Sequence, residues 1–252
     1  MNLRPGIAYA GLSDVGCERE NNEDRFAYWE PAADQTFALK GRLALIADGM
    51  GGYEGGQEAS RIAIETIEHI YSEAVEGGPH DWLNQGFRLA HTAIQDYASR
   101  HPEFHGMGTT CTAAAILGNQ VYFAHVGDSR LYLATPDRIS RLTRDHSYVG
   151  RLIENGLIQP EEAETHPQRH ILTAALGAGQ SVSAETPPQP ATVAAGSALL
   201  LCTDGLWGQV SDDELLQEIQ NPDPALACRR LIVLARERGG HDNITLQVIR
   251  FL

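Results

Sequence analysis

No stretch of this 252-residue sequence is apolar for long enough to span a bilayer, which takes about 20 consecutive residues. No apolar leader segment follows the opening Met-Asn-Leu-Arg-Pro, so export is not expected. Cysteine is scarce and scattered: Cys17, Cys111, Cys202 and Cys228 form no CxxC pair. That argues against a disulfide framework and a thiolate zinc site, and it fits the reduced thiols of a cytoplasmic protein. Basic residues are outnumbered, 19 Lys and Arg against 33 Asp and Glu, for a net charge of −14. A phosphate-backbone binder needs a basic face, so no nucleic-acid partner is expected. Cys-x5-Arg, G-x-S-x-G and Walker-type loops are all missing, so no protein nucleophile is indicated.

What is present is an ordinary globular balance, 42% hydrophobic and 21% charged, with no low-complexity segment, repeat or linker. One domain covering residues 1–252 is expected. Amphipathic helices are expected over residues 58–74 and 82–100, where apolar residues recur at helical spacing. Strands are expected at 6–16, 26–29, 43–47, 108–117, 120–126, 131–134, 198–203 and 244–251, with Gly118-Asn119 turning a hairpin. Ser211 with Glu214 reads as a capping box. Asp223, Pro224 and Gly239 bracket a further helix. Residues 146–156 read as a short helix, 160–163 as the start of another, and the polar stretch 145–179 as an insert lying over a surface, since it is long for a plain connection. Helix pairs alternating with runs of strands suit an α+β architecture: a four-layer α-β-β-α sandwich of two antiparallel sheets flanked by helix pairs.

The stretch 43–52, Leu-Ala-Leu-Ile-Ala-Asp-Gly-Met-Gly-Gly, is the centre of the pattern. Taken alone it is a buried strand ending in an Asp-Gly hairpin turn. Its glycines let the backbone approach a ligand closely. Asp128, Asp204 and Asp242 stand likewise at expected strand ends beside Gly or Asn, and Asp24 lies in an acidic loop. One such acid is an ordinary turn residue. Several in one domain point to convergence, and converging carboxylates stay ionised only around a cation. Hard divalent ions, Mg²⁺ or Mn²⁺, suit an oxygen donor set. Two of them roughly 4 Å apart lower the pKa of a bridging water toward about 7, for in-line attack on phosphorus. Arg19, in the same loop as Asp24, is the natural fork for the phosphoryl oxygens.

The collinear set S-D-V-G…R-E-N-N-E-D at 13–24, A-D-G-M-G-G at 47–52, G-T-T at 108–110, G-D-S-R at 127–130, L-T-R-D-H-S at 142–147, C-T-D-G-L-W at 202–207 and D-N-I-T at 242–245 resembles the metal-dependent protein Ser/Thr phosphatases. This is the PPM, or PP2C-like, family, and the likeness is to its compact bacterial members. The resemblance covers nearly the whole chain. It implies two Mn²⁺ or Mg²⁺ ions in a cleft at one end of the sheets. Asp48 would bridge them, the Gly49 carbonyl would ligate one, and Asp204 and Asp242 would ligate the other. Glu23 and Asp24 would act through water, and Asp128 with Asp204 would form a third, weaker site. Arg19 would bind phosphate, and 145–179 would be a flap beside the cleft.

Where some relatives carry a histidine after the Asp-Gly as a proposed general acid, this chain has Met50, which has no proton to donate. His146 and His241 lie in neighbouring motifs, and no general acid is assigned. The expectation is a cytoplasmic, monomeric phosphatase acting on phosphorylated proteins, a Ser/Thr protein kinase among them. Two other readings are a non-catalytic sensor or scaffold on the same fold and a two-metal nuclease. The intact acids weigh against the first, and the acidic charge balance against the second.

Overall fold

The computed structural model describes residues 3–51, 54–159, 162–163 and 165–252. Eleven strands among them form two sheets. The first runs β1 (Ile7–Asp14), β11 (Ile244–Phe251), β10 (Ala198–Cys202), β7 (Arg130–Thr135), β8 (Arg138–Arg141) in spatial order. The second runs β2 (Asp24–Trp29), β3 (Arg42–Met50), β5 (Cys111–Leu117), β6 (Gln120–Val126), β9 (Ala191–Thr192), with the short β4 (Gly108–Thr109) on the end of β3. Every pairing is antiparallel.

Three apolar layers hold four structural layers together. Between the sheets lie Ala44, Ile46, Ile116, Phe123, Leu199 and Ile249. β3 is buried on both faces because its alternate residues, Leu43, Leu45 and Ala47, turn the other way into a second core. That core is closed by α2 (Gly55–Glu73) and α3 (Pro79–Arg100). In α2 the inward stripe is Ala59, Ile62, Ala63 and Ile67, as the 3.6-residue period requires. The third core lies under α6 (Asp212–Ile219) and α7 (Pro224–Glu237). The expected caps are in place: the Glu214 carboxylate accepts from Ser211 N–H at 3.1 Å, and Asp223 accepts from Ala225 N–H at 2.9 Å. The four-layer α-β-β-α arrangement is thus the one expected.

Several local expectations are corrected. β3 does not stop at Ala47: it runs through Asp48 to Met50. Asp48 is therefore a strand residue flanked on both sides, not the first residue of a hairpin turn. Gly51 follows the strand with a φ of 151°, while Gly52 lies outside the described residues. Asp204 opens a helix, α5 (Asp204–Trp207), rather than ending a strand. A helix α1 (Asp34–Lys40) precedes β3, and its Lys40 ammonium is buried over the Trp82 ring at 3.9 Å. There it donates to Tyr71 O at 2.7 Å and Ala74 O at 2.5 Å. These are carbonyls that the end of α2 leaves unsatisfied. Within 145–179 the helix α4 (Tyr148–Glu154) forms and stops at Asn155 and Gly156 (φ 66°). Pro160 and Glu161, in the other helical piece expected there, lie outside the described residues.

Candidate metal centre

Asp24 and Asp48 are direct partners across β2 and β3. Like charges in that position repel, so something must compensate them. The first sheet supplies two more acids rather than bases. Thr203, the N-cap of α5, donates its hydroxyl to Asp24 Oδ2 at 2.8 Å, which sets Asp204, the next residue, beside the same point. Asp242 precedes β11, and its Oδ2 meets Arg19 Nη2 at 2.7 Å. Asp128 follows β6 and is buried, and its carbonyl accepts from Trp207 Nε1 of α5 at 3.0 Å.

The electrostatics record this convergence. Burial lifts Asp48 well above the usual carboxylate range, and the charges of Asp24, Asp204, Asp128 and Asp242 add to it. Asp24 is pushed up to about 7 by burial, against hydrogen bonds from Thr245 and Thr203 and with the charges of Asp204 and Asp242 adding. Burial also raises Asp128, with Asp204 the largest charge acting on it. Asp204 is raised by burial and by Asp242, against a hydrogen bond with Asp48. Two buried oxygens, Asp24 Oδ1 and Asp204 Oδ1, have no hydrogen-bond partner among the described residues. Such a cluster of oxygen donors, crowded and partly unpaired, is what a divalent cation resolves.

Glu23 is half-buried, and burial raises its carboxyl too. Its carbonyl accepts from Gly49 N–H at 3.2 Å and from the Ser60 hydroxyl at 2.6 Å. Gly49 is required by this packing: a Cβ there would lie 2.0 Å from Gly56 O. The demand for glycine thus comes from the close approach of α2, not from room for a ligand alone. Arg19 is half-exposed and held by Asp242. With Glu23, Gly51 and Phe104 it lines an open cavity of about 670 Å³ beside the acids.

Two positions that hold the site's loops together carry no assignment from sequence. Asn243 holds the N-terminal loop: its Oδ1 accepts from Glu23 N–H at 2.8 Å, and its Nδ2 donates to Val15 O and Asn21 O. Arg130 is buried against Asp145 at 2.7 Å and lies over the Trp207 ring at 3.5 Å. It thereby joins the root of the 145–179 segment to α5. The D-N-I-T and G-D-S-R motifs held the signals for Asn243 and Arg130; their partners lie too far along the chain to be read from spacing.

His146 takes Gly127 N–H on ring Nδ1 at 3.2 Å, and its backbone N–H donates to Gly127 O at 2.7 Å. Its work there is structural. His241 meets Glu18 at the surface at 2.6 Å. His125, His146 and Glu185 converge within 4.8 Å. Both ring nitrogens of His125 are already hydrogen-bonded, however, so the group offers no free ligand set. The 145–179 segment is anchored at both ends: the His146 backbone N–H donates to Gly127 O, and Leu176 exchanges both backbone bonds with Thr109, the β4 partner of Gly49.

The chain matches the family described as protein phosphatase 2C over residues 18–227. It is 37% identical over 242 residues to the serine/threonine protein phosphatase PstP of Mycobacterium tuberculosis, a match that covers 96% of this chain and 44% of that protein. The chain therefore spans less than half the length of that relative. It is 36% identical over 250 residues to the protein phosphatase PhpP of Streptococcus pneumoniae, covering 94% of this chain and 95% of that one. The crystal structure of the catalytic domain of PstP in complex with two manganese ions superposes with a TM-score of 0.83 at 34% identity, covering 98% and 99% of the two chains. With half or more of its length matched by the family and its fold shared with that domain, the chain belongs to the protein phosphatase 2C family.

Proposed function

We propose that this chain is a metal-dependent phosphoprotein phosphatase hydrolysing phosphoserine and phosphothreonine, with residues 1–252 as one phosphatase domain and 145–179 as a flap beside its cleft. The observation that carries the reading is the meeting of Asp24 and Asp48 from one sheet with Asp204 and Asp242 from the other, two of their buried oxygens unpartnered. The manganese-bound catalytic domain of PstP supports it.

Asp48 would be shared by two Mn²⁺ or Mg²⁺ ions, with the Gly49 carbonyl on one and Asp204 and Asp242 on the other. Glu23 and Asp24 would act through water, and Asp128 with Asp204 would hold a third ion. When bound, such ions supply Lewis acidity, which lowers the pKa of water toward about 7 and offsets phosphoryl charge. Arg19 is placed to exchange Asp242 for a phosphoryl group, because an exposed ion pair is held weakly and its fork fits phosphate oxygens. Met50 ends β3 with a thioether where a proton donor would sit, so no side chain is assigned as general acid. The reading extends to a cytoplasmic monomer whose substrates are phosphorylated proteins, a Ser/Thr protein kinase among them. Among the described residues no helix is long and apolar enough to cross a membrane.

The test is phosphate release from phosphoserine and phosphothreonine peptides with Mn²⁺, with Mg²⁺ and with chelator. Release should need added metal, and Asp204→Asn should abolish it while circular dichroism stays that of the parent. Release that survives the chelator would refute the reading; an Asp204→Asn variant near the parental rate would refute that ligand.

A further inference from the structure

Two buried hydroxyls lie between Asp48 and Asp128. In the β3 register, Gly49 faces Thr109 and Ile46 faces Thr112, so Asp48 faces Thr110. A regular ladder would send Asp48 N–H to the Thr110 carbonyl. Here it goes to the Thr110 hydroxyl at 3.0 Å, while the Thr109 hydroxyl lies 2.8 Å from both the Thr110 carbonyl and Asp48 O. Thr110 N–H still reaches Asp48 O at 2.9 Å. Both backbone groups of Asp48 are thus held by Thr110, one of them through a side chain standing in for a carbonyl.

The same hydroxyl lies 2.7 Å from Ser129 Oγ, on the residue after Asp128. Beyond Ser129 the bonding continues. Thr112 Oγ1 is 3.0 Å from Ser129 O and 2.8 Å from His125 Nδ1, and His125 Nε2 is 3.0 Å from Gly127 O and 3.1 Å from Arg144 O. Carbonyls only accept, so Nε2 carries the proton, and the single Thr112 proton lies between two acceptors, His125 Nδ1 and Ser129 O. Thr110, Thr112, His125 and Ser129 are all buried, and hydrogen bonds in such a low-dielectric setting are strengthened.

Resting on the metal reading above, we infer that the Thr110–Ser129 hydroxyl pair is a positioning couple that fixes Asp48 and Asp128 relative to each other and so sets metal affinity without touching the metal. Groups that orient ligands in this way change metal affinity by about 10- to 100-fold when lost.

The experiment is a calorimetric Mn²⁺ titration of the metal-free protein, with circular dichroism and melting to establish folding. Thr110→Val, which keeps the shape and removes the hydroxyl, should weaken Mn²⁺ binding by about 10- to 100-fold, and phosphate release should recover at saturating Mn²⁺. Thr110→Ser should bind as the parent does. Ser129→Ala, which leaves the Asp48–Thr110 bond in place, should weaken binding in the same direction and keeps the test open if the valine variant fails to fold. A folded Thr110→Val or Ser129→Ala variant with parental affinity, or a serine variant as weak as the valine one, would overturn the inference. A parent protein that binds no Mn²⁺ would overturn the metal reading and this inference with it.

Discussion

Asp24→Asn should make the metal-free protein more stable at neutral pH while impairing its use of metal. Asp24 is 4% exposed, faces Asp48 across the strand pair and is pushed from an ordinary 3.8 to about 7 by burial, with neighbouring charges adding. A carboxyl whose folded pKa is raised contributes stability below its unfolded value, and loses it as pH rises through the folded value. The loss therefore falls between about pH 4 and pH 7. At about 1.36 kcal/mol per pH unit, a rise from 3.8 to about 7 caps the cost of ionising Asp24 near 4 kcal/mol. Neighbouring acids share the repulsion, which leaves about 1–3 kcal/mol for this substitution alone. For a chain of this size that is about 3–10 °C in melting temperature. The amide oxygen can still accept from Thr203. The assay is thermal melting in chelator at about pH 5 and about pH 8. The parent should lose stability between them, and the variant should lose less and melt higher at the upper pH. Mn²⁺ should raise the melting temperature of the parent more than that of the variant. A chelated variant melting at or below the parent at about pH 8 would refute the account of a charge-strained cluster.

Arg19→Ala should leave melting nearly unchanged, because its half-exposed pair with Asp242 is worth about 0–1 kcal/mol. It should lower kcat/KM for a phosphopeptide about 10- to 100-fold, the worth of a hydrogen bond to a charged group; parental kinetics would remove Arg19 from phosphate binding. Arg130→Ala should cost about 3 kcal/mol in urea unfolding, the lower end for breaking a buried pair, since Arg141 still reaches Asp145 at 3.0 Å. A loss below about 1 kcal/mol would mean that the Arg130–Asp145 pair is not anchoring the segment.

The layers were legible because burial imposes periodicity. α2, α7 and β11 follow their apolar spacing and caps closely. Asp48 was misplaced within its strand because the cue there, Asp-Gly, is ambiguous between a turn and a strand with a glycine packed against a neighbour. α5 escaped notice because four residues are too few to show a 3.6-residue period. The acids were legible as a set, from their repeated setting beside glycine, but what aims them was not. Asn243, Thr203 and Arg130 act through single hydrogen bonds or ion pairs to distant positions, and no local pattern encodes such a partner. No local pattern marks Lys40 as buried, yet it closes α2 from beneath because Trp82 and two orphan carbonyls receive it.

The Asn243 tether carries a consequence for synthesis. Glu23 N–H finds its acceptor 220 positions along the chain, and β1 finds its ladder partner only in β11. Contacts of such separation form late and slowly. A nascent chain still missing β11 has Asp24 and Asp48 but lacks the strand that lies between β1 and β10. The sheet that carries Asp204 and Asp242 toward Asp24 and Asp48 is therefore complete only once β11 has been made.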